Sequence, residues 1–275
     1  MNTPIDRPDL PRPPRQAAAP PSEPQPRRGI AFSALVAIGV ALVSAIGLAA
    51  LALALRGNPT NTDTGSGAAP NVTRSVAGPL AGRQEARFEM LSGAETVRVD
   101  SQDIGDDLYR ISTPEFSSVV PKVDESGDRI ALSLVSSGGA VGPASVSVLL
   151  NSRVRWQVRL AGGGNDEFVD FSSGRLASLD LATGAGRIEV AVPAPEGTLV
   201  VKLTGGAGQL TVRLPKGPPV QVRLGSGAGG VTVDGQRHEG LAPGTVLKPP
   251  GWDAAQNRLD VDAAGGVSTL VVERL

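Results

Sequence analysis

Residues able to do chemistry are few in this chain. The only imidazole is His238, which follows Gln236 and Arg237 in a polar stretch. A zinc site or a Ser-His-Asp triad would have to work with that one ring, with no second histidine and no cysteine to assist it. His238 therefore reads as a solvated loop residue. The lack of cysteine also removes disulfide frameworks, thiolate metal sites and cysteine nucleophiles. Asp103, Asp106 and Asp107 surround Gly105 without the spacing of a calcium loop, and read as a solvated turn. Gly162-Gly163-Gly164-Asn165-Asp166 is similar to a glycine–aspartate calcium nonapeptide, but it lacks the fourth-position glycine and a tandem copy, so it too reads as a turn. No glycine-rich run leads from a strand into a helix with Lys-Ser/Thr, which leaves no phosphate cradle. No acid–base pair flanked by basic subsites can be assembled on one face. The sequence assigns no catalytic residue, no cofactor-binding residue, no metal ligand and no cofactor, and the expectation is a protein that is not an enzyme.

Carbohydrate recognition commonly uses aromatic platforms. Beyond residue 55 the aromatics are Phe88, Tyr109, Phe116, Trp156, Phe168, Phe171 and Trp252. Trp156 alternates with Val158 and Leu160, which places it in a core. Trp252 lies in the one long irregular stretch, Gln236 to Arg258, together with His238, Lys248, Pro249 and Pro250. It is either a recognition residue or a plug over an exposed apolar edge.

The elements that would position these side chains differ sharply along the chain. Residues 1–29 are rich in proline and arginine and poor in large apolar side chains, which predicts a disordered cytoplasmic tail. From Ile30 to Leu55 no residue is charged. Such a run exceeds the roughly 20 residues that cross a bilayer, so 30–55 is expected to be a transmembrane helix. Five arginines precede it, at 7, 12, 15, 27 and 28, and only Arg56 follows before Arg74. That asymmetry puts the N-terminus in the cytoplasm and the rest outside. An apolar core this long, behind so long a tail, favours an uncleaved signal anchor over a cleaved signal peptide. Residues 56–75 read as a flexible linker rich in Gly, Ser, Thr, Asn and Pro. Residues 1–56 hold six of the 26 basic groups and three of the 27 acidic ones, which leaves the remainder at a net of −4. A mildly acidic, unclustered surface argues against nucleic acid as a partner.

Residues 76–275 are dominated by period-two alternation, with a possible subdivision near 150, and the strongest signal in them is an internal repeat. Gly184-Ala185-Gly186, Gly206-Ala207-Gly208 and Gly227-Ala228-Gly229 recur at 21–22-residue spacing. Each sits between apolar–polar alternating runs such as Val201-Lys202-Leu203 and Leu210-Thr211-Val212-Arg213-Leu214-Pro215. Weaker copies occur at Trp156–Gly164 and at Leu259–Val272, and residues 83–150 look like less regular members of the series. The glycines are read as supplying the positive φ of tight turns. One such unit cannot bury its apolar face, whereas stacked units can. The expectation is an all-β domain, a solenoid-like stack of 21–22-residue strand-turn-strand repeats, preceded by the transmembrane helix and the disordered tail.

Gly-Ala-Gly turns, strands ending in Leu-Pro at Leu214-Pro215, and Val233-Asp234-Gly235 followed by Gly251-Trp252-Asp253 resemble the putative-adhesin, or toastrack-like, domains. These are bacterial envelope β modules, often carried on one membrane span. The resemblance covers about 150–275 well and 80–150 loosely. It implies a right-handed β solenoid or a close relative, and it brings no catalytic residues. Repeat, anchor and resemblance together predict a non-enzymatic, membrane-anchored extracytoplasmic module, structural or adhesin-like, integral to the cell membrane. Its expected partners are a cell-envelope protein or polysaccharide. The alternatives are an envelope sensor or regulator that signals through its tail, and a solenoid enzyme acting on wall polysaccharide.

Overall fold

A computed structural model describes residues 74–182 and 184–275. The tail, the apolar span and all but the end of the linker lie outside the described residues. Among the described residues no helix is long and apolar enough to cross a membrane; what they form is all-β.

The strands are β1 (Ser75–Pro79), β2 (Glu85–Met90), β3 (Thr96–Gln102), β4 (Asp107–Ser112), β5 (Val119–Ser126), β6 (Arg129–Ser136) and β7 (Ser145–Asn151). The regular repeat follows as β8 (Arg155–Leu160), β9 (Gly164–Asp170), β10 (Arg175–Leu181), β11 (Ala185–Ala191), β12 (Thr198–Leu203) and β13 (Ala207–Leu214). The chain ends with β14 (Val220–Leu224), β15 (Ala228–Val233), β16 (Gln236–Leu241), β17 (Thr245–Leu247), β18 (Arg258–Ala263) and β19 (Val267–Arg274).

These strands form two sheets among the described residues, in the orders β1-β4-β7-β3-β9-β11-β13-β19-β15-β16 and β17-β14-β18-β12-β10-β8-β2-β6-β5. Through the regular part the chain alternates between them, one strand in each sheet joined by a tight turn, and each such rung pairs in parallel with the next. Both sheets run unbroken past residue 150, where β2 pairs β8 and β3 pairs β9.

Stacking in register puts like side chains on like. One inward row of the first sheet is Val148, Val99, Val169, Val190, Val212, Val272 and Val233. A matching row of the second sheet is Leu132, Met90, Leu160, Leu181, Leu203, Ala263 and Leu224. All but the half-buried Val233 are buried, and they belong to a single apolar cluster between the sheets.

The order of the rungs departs from the order of the sequence at both ends. The last copy, β18 and β19, does not follow the third Gly-Ala-Gly unit but slots between β12/β13 and β14/β15. Likewise β2/β3 lies between β6/β7 and β8/β9. Each end is then covered by antiparallel strands: β4 on β7 and β5 on β6 at one, β16 on β15 and β17 on β14 at the other. The Tyr109 hydroxyl on β4 donates to the Glu125 carboxylate on β5 at 2.6 Å, tying the first pair of caps together across the sheets.

The Gly-Ala-Gly glycines are needed for a reason other than the one expected. Among their six residues only Gly227 has positive φ (81°). The second glycine of each triplet is instead pressed against the backbone of the neighbouring rung. A Cβ on Gly208 would lie 2.5 Å from the Gly186 carbonyl oxygen, and one on Gly229 would lie 2.7 Å from that of Ser268. Ordinary carbon–oxygen approaches are about 3.3 Å or longer. The first glycine of the second triplet is looser, at 3.5 Å from the Gly266 oxygen. Gly208→Ala should therefore destabilise the 76–275 domain by about 1–3 kcal/mol in urea unfolding, while Gly206→Ala should change it by about 0.5 kcal/mol or less. Equal losses would show that the close approach is not the reason for glycine.

Candidate functional site

The stretch from Gln236 to Arg258, expected to be irregular, contains two short strands. β16 covers the open edge of one sheet and β17 that of the other. His238 stands on β16 rather than in a loop, and it is exposed as expected. The turns from residue 248 to 257 then carry the chain back over β14 to the place where β18 inserts. Trp252 holds this return path. Its ring is only 8% exposed, its indole N–H donates to the Leu259 carbonyl at 3.2 Å, and the Arg258 guanidinium lies 4.2 Å from the ring centroid. The same guanidinium donates to the carbonyls of Trp252 and Asp253. With its ring covered, Trp252 is a latch and offers no platform. Lys248 pairs with Asp253 at 2.7 Å on the outside of the same turn.

Trp156 is fully buried, as its alternation predicted, with its indole N–H on the Asn151 carbonyl. The three aspartates around Gly105 form a structural turn. Asp103 accepts from the Gly105 N–H, Asp107 pairs with Arg110, and buried Asn151 donates to the carbonyls of Gly105 and Asp107. Of the Gly162–Asp166 run only the first two residues turn; the remainder begin β9. Among the described residues no cluster of His, Cys, Asp and Glu could hold a metal ion.

One ionisable side chain escaped sequence reasoning. Glu167 occupies an inward row that otherwise reads Val146, Val97, Ile188, Leu210, Leu270 and Val231. It is 1% exposed, and neither carboxylate oxygen has a hydrogen-bond partner. Burial without compensation pushes its pKa up from 4.5 to about 7. The signal was available: Glu167 lies four residues after Gly163, as Ile188 and Leu210 lie four after Gly184 and Gly206. Its neighbours along that row, Val97 and Ile188, are aliphatic and offer the carboxyl no partner.

The outward faces carry ion pairs in rows. On one, Arg213 joins Glu189 at 2.9 Å and Glu273 at 2.6 Å, and Arg187 also reaches Glu189. Burial would raise the Glu189 carboxyl, but its two arginines outweigh that and hold it below the usual carboxylate range. On the other face Arg223 clamps Asp260 at 2.7 Å, and Gln221 donates to the same carboxylate. Two small hollows beside Arg155 hold about 20 and 50 Å³, room for a few waters and not for a cofactor.

No family model and no curated protein matches the sequence. Solved structures do resemble the fold. A "putative cell adhesion protein" from Clostridium sporogenes ATCC 15579 superposes with a TM-score of 0.57 at 19% identity, over 73% of this chain and 98% of its own. A "putative adhesin" from Bacteroides fragilis NCTC 9343 aligns over 72% of this chain and 96% of its own at 8% identity, with a TM-score of 0.26. The first likeness establishes shared architecture; the second is too weak to add to it.

Two measurements test these assignments. Because the folded-state pKa of Glu167 is raised, its stabilising contribution is complete below about pH 4.5 and is lost as pH climbs through about 7. Glu167→Leu should therefore gain on the parent domain as pH rises from 4 to 8, by roughly 3 kcal/mol at the upper end. A difference independent of pH would mean the carboxyl is not buried unpaired. Trp252→Ala should cost about 2–4 kcal/mol of unfolding free energy, whereas His238→Ala should be neutral by the same assay.

Proposed function

We propose that this chain is a non-enzymatic, membrane-anchored β module of a bacterial envelope, with a structural or adhesive role. Residues 1–29 are the cytoplasmic tail, 30–55 the uncleaved transmembrane anchor, 56–75 a flexible spacer, and 76–275 a solenoid-like domain held outside the membrane. The observation that carries the reading is the nature of the surface. Two broad sheets present rows of paired charges, on a scaffold that shares its architecture with a protein named for cell adhesion. Such surfaces suit extended polar partners, and the partner class proposed is an envelope protein or polysaccharide.

The chain contains no cysteine, so single thiols report topology cleanly. An impermeant maleimide applied to intact cells should label Ser226→Cys, which lies on an exposed turn, and spare Ser22→Cys. Labelling in the reverse pattern would overturn the orientation. Incubation of the 76–275 domain with wall polysaccharide should release no new reducing ends; their appearance would return the module to the enzymes.

A further inference from the structure

Among the described strands four are sheet edges: β1 and β16 in one sheet, β5 and β17 in the other. An edge presents unpaired N–H and C=O groups to any passing strand unless something blunts it. β1 contains Pro79 and a register shift at Gly78/Pro79. β5 contains Pro121 and Lys122, and β17 is three residues long. β16 has neither proline, register shift nor so short a span: it carries the charges of Arg237 and Glu239, and its pairing with β15 is interrupted only at Gly240 (φ 61°). Its residues are exposed from Gln236 to Gly240.

The hairpin decides which backbone groups of β16 are free. Asp234 and Gly235, at φ 50° and 80°, make the two-residue turn typical of type I′ between β15 and β16. The residues flanking such a turn, Val233 and Gln236, exchange both hydrogen bonds, and the pattern then alternates. Gln236 and His238 therefore direct their N–H and C=O toward β15, while Arg237 and Glu239 direct theirs to the open edge. A further strand must hydrogen-bond through Arg237 and Glu239.

A second copy of β16 can approach antiparallel in registers that respect this alternation. Neighbouring choices put Arg237 opposite Arg237, or Glu239 opposite Glu239, and like charges directly opposite are unfavourable. The remaining choice places His238 opposite His238 on a twofold axis, with Arg237 of each copy facing Glu239 of the other. Twofold symmetry then satisfies both pairs at once. The two side chains already share a face and are available, since they form a 2.7 Å pair within the strand while 72% and 68% exposed.

We propose that β16 is a self-pairing edge through which two copies of this chain join antiparallel, centred on His238 and registered by Arg237 against Glu239. The partner is a second copy of the chain, and its charge complementarity is written into one strand.

The test uses the full chain in membranes, where His238→Cys is the only thiol. Facing residues at a non-hydrogen-bonded antiparallel site have Cα atoms about 4.5 Å apart, within disulfide reach. Oxidation should convert His238→Cys into a disulfide-linked dimer and leave Lys122→Cys on β5 and Val246→Cys on β17 monomeric. Adding Arg237→Glu should slow cross-linking about tenfold, and adding Glu239→Arg on top should restore it, because the exchanged pair is complementary in the same register. That rescue separates loss of pairing from loss of fold. Equal linking at all three thiols, no linking at residue 238, or indifference to the charge reversal would each overturn the proposal. The first would mean association elsewhere in the chain, and the second that the charges on β16 only guard the edge.

Discussion

Everything in this domain depends on parallel strands stacking in register at about 4.8 Å. At that spacing each inward side chain rests on its counterpart in the next rung, so neighbouring members of a row have to pack directly on one another. The row from Val148 through Val212 to Val233 is valine throughout. The same spacing acts on the backbone where strands begin, at Gly208 and Gly229, which meet a neighbouring carbonyl more closely than a Cβ allows. Core packing and the glycines at the strand starts are thus two consequences of one repeat distance.

A stack of this kind has two ends, and ends are where apolar faces and unpaired backbone are exposed. Both ends here reverse strand direction, replacing parallel pairing by antiparallel caps. Both also place a rung out of sequence order, β2/β3 at one end and β18/β19 at the other. At the second end the chain makes the caps first and then returns beneath them, so the final rung is gripped on both sides. Asp260 on β18 shows how that grip is specified: its carboxylate is taken by Arg223 and Gln221 of β14, residues that precede it by almost forty positions. The latch formed by Trp252 and Arg258 secures the path by which the chain gets there.

An inward carboxyl stands against this logic. Glu167 sits between Val97 and Ile188 in a row of aliphatic side chains, without a partner for either oxygen. Its cost depends on protonation, which makes the middle of the stack less stable in neutral than in acidic surroundings. The outward cluster around Glu189 behaves in the opposite way. Glu189 is held ionised by Arg213 and Arg187, so that cluster weakens only under acid.

The amino-acid sequence by itself determined the all-β class, the repeat and the inward parity of its apolar residues. Alternation of apolar and polar types is a local property, and it survives unchanged from Leu179-Asp180-Leu181 to Val231-Thr232-Val233. It also identified Trp156 as core, because Val158 and Leu160 share its parity. What only the tertiary structure decided was adjacency. Parity says that Val272 points inward but not that it lies between Val212 and Val233, since every rung offers an equivalent face. The glycine requirement was hidden for the same reason: a φ preference belongs to one residue, whereas a clash with Gly186 exists only once Gly208 is stacked upon it. Likewise the excursion from Gln236 to Arg258 had no visible period because it is not a rung. It is a pair of caps and a return path, and its length is set by the strand it has to cross.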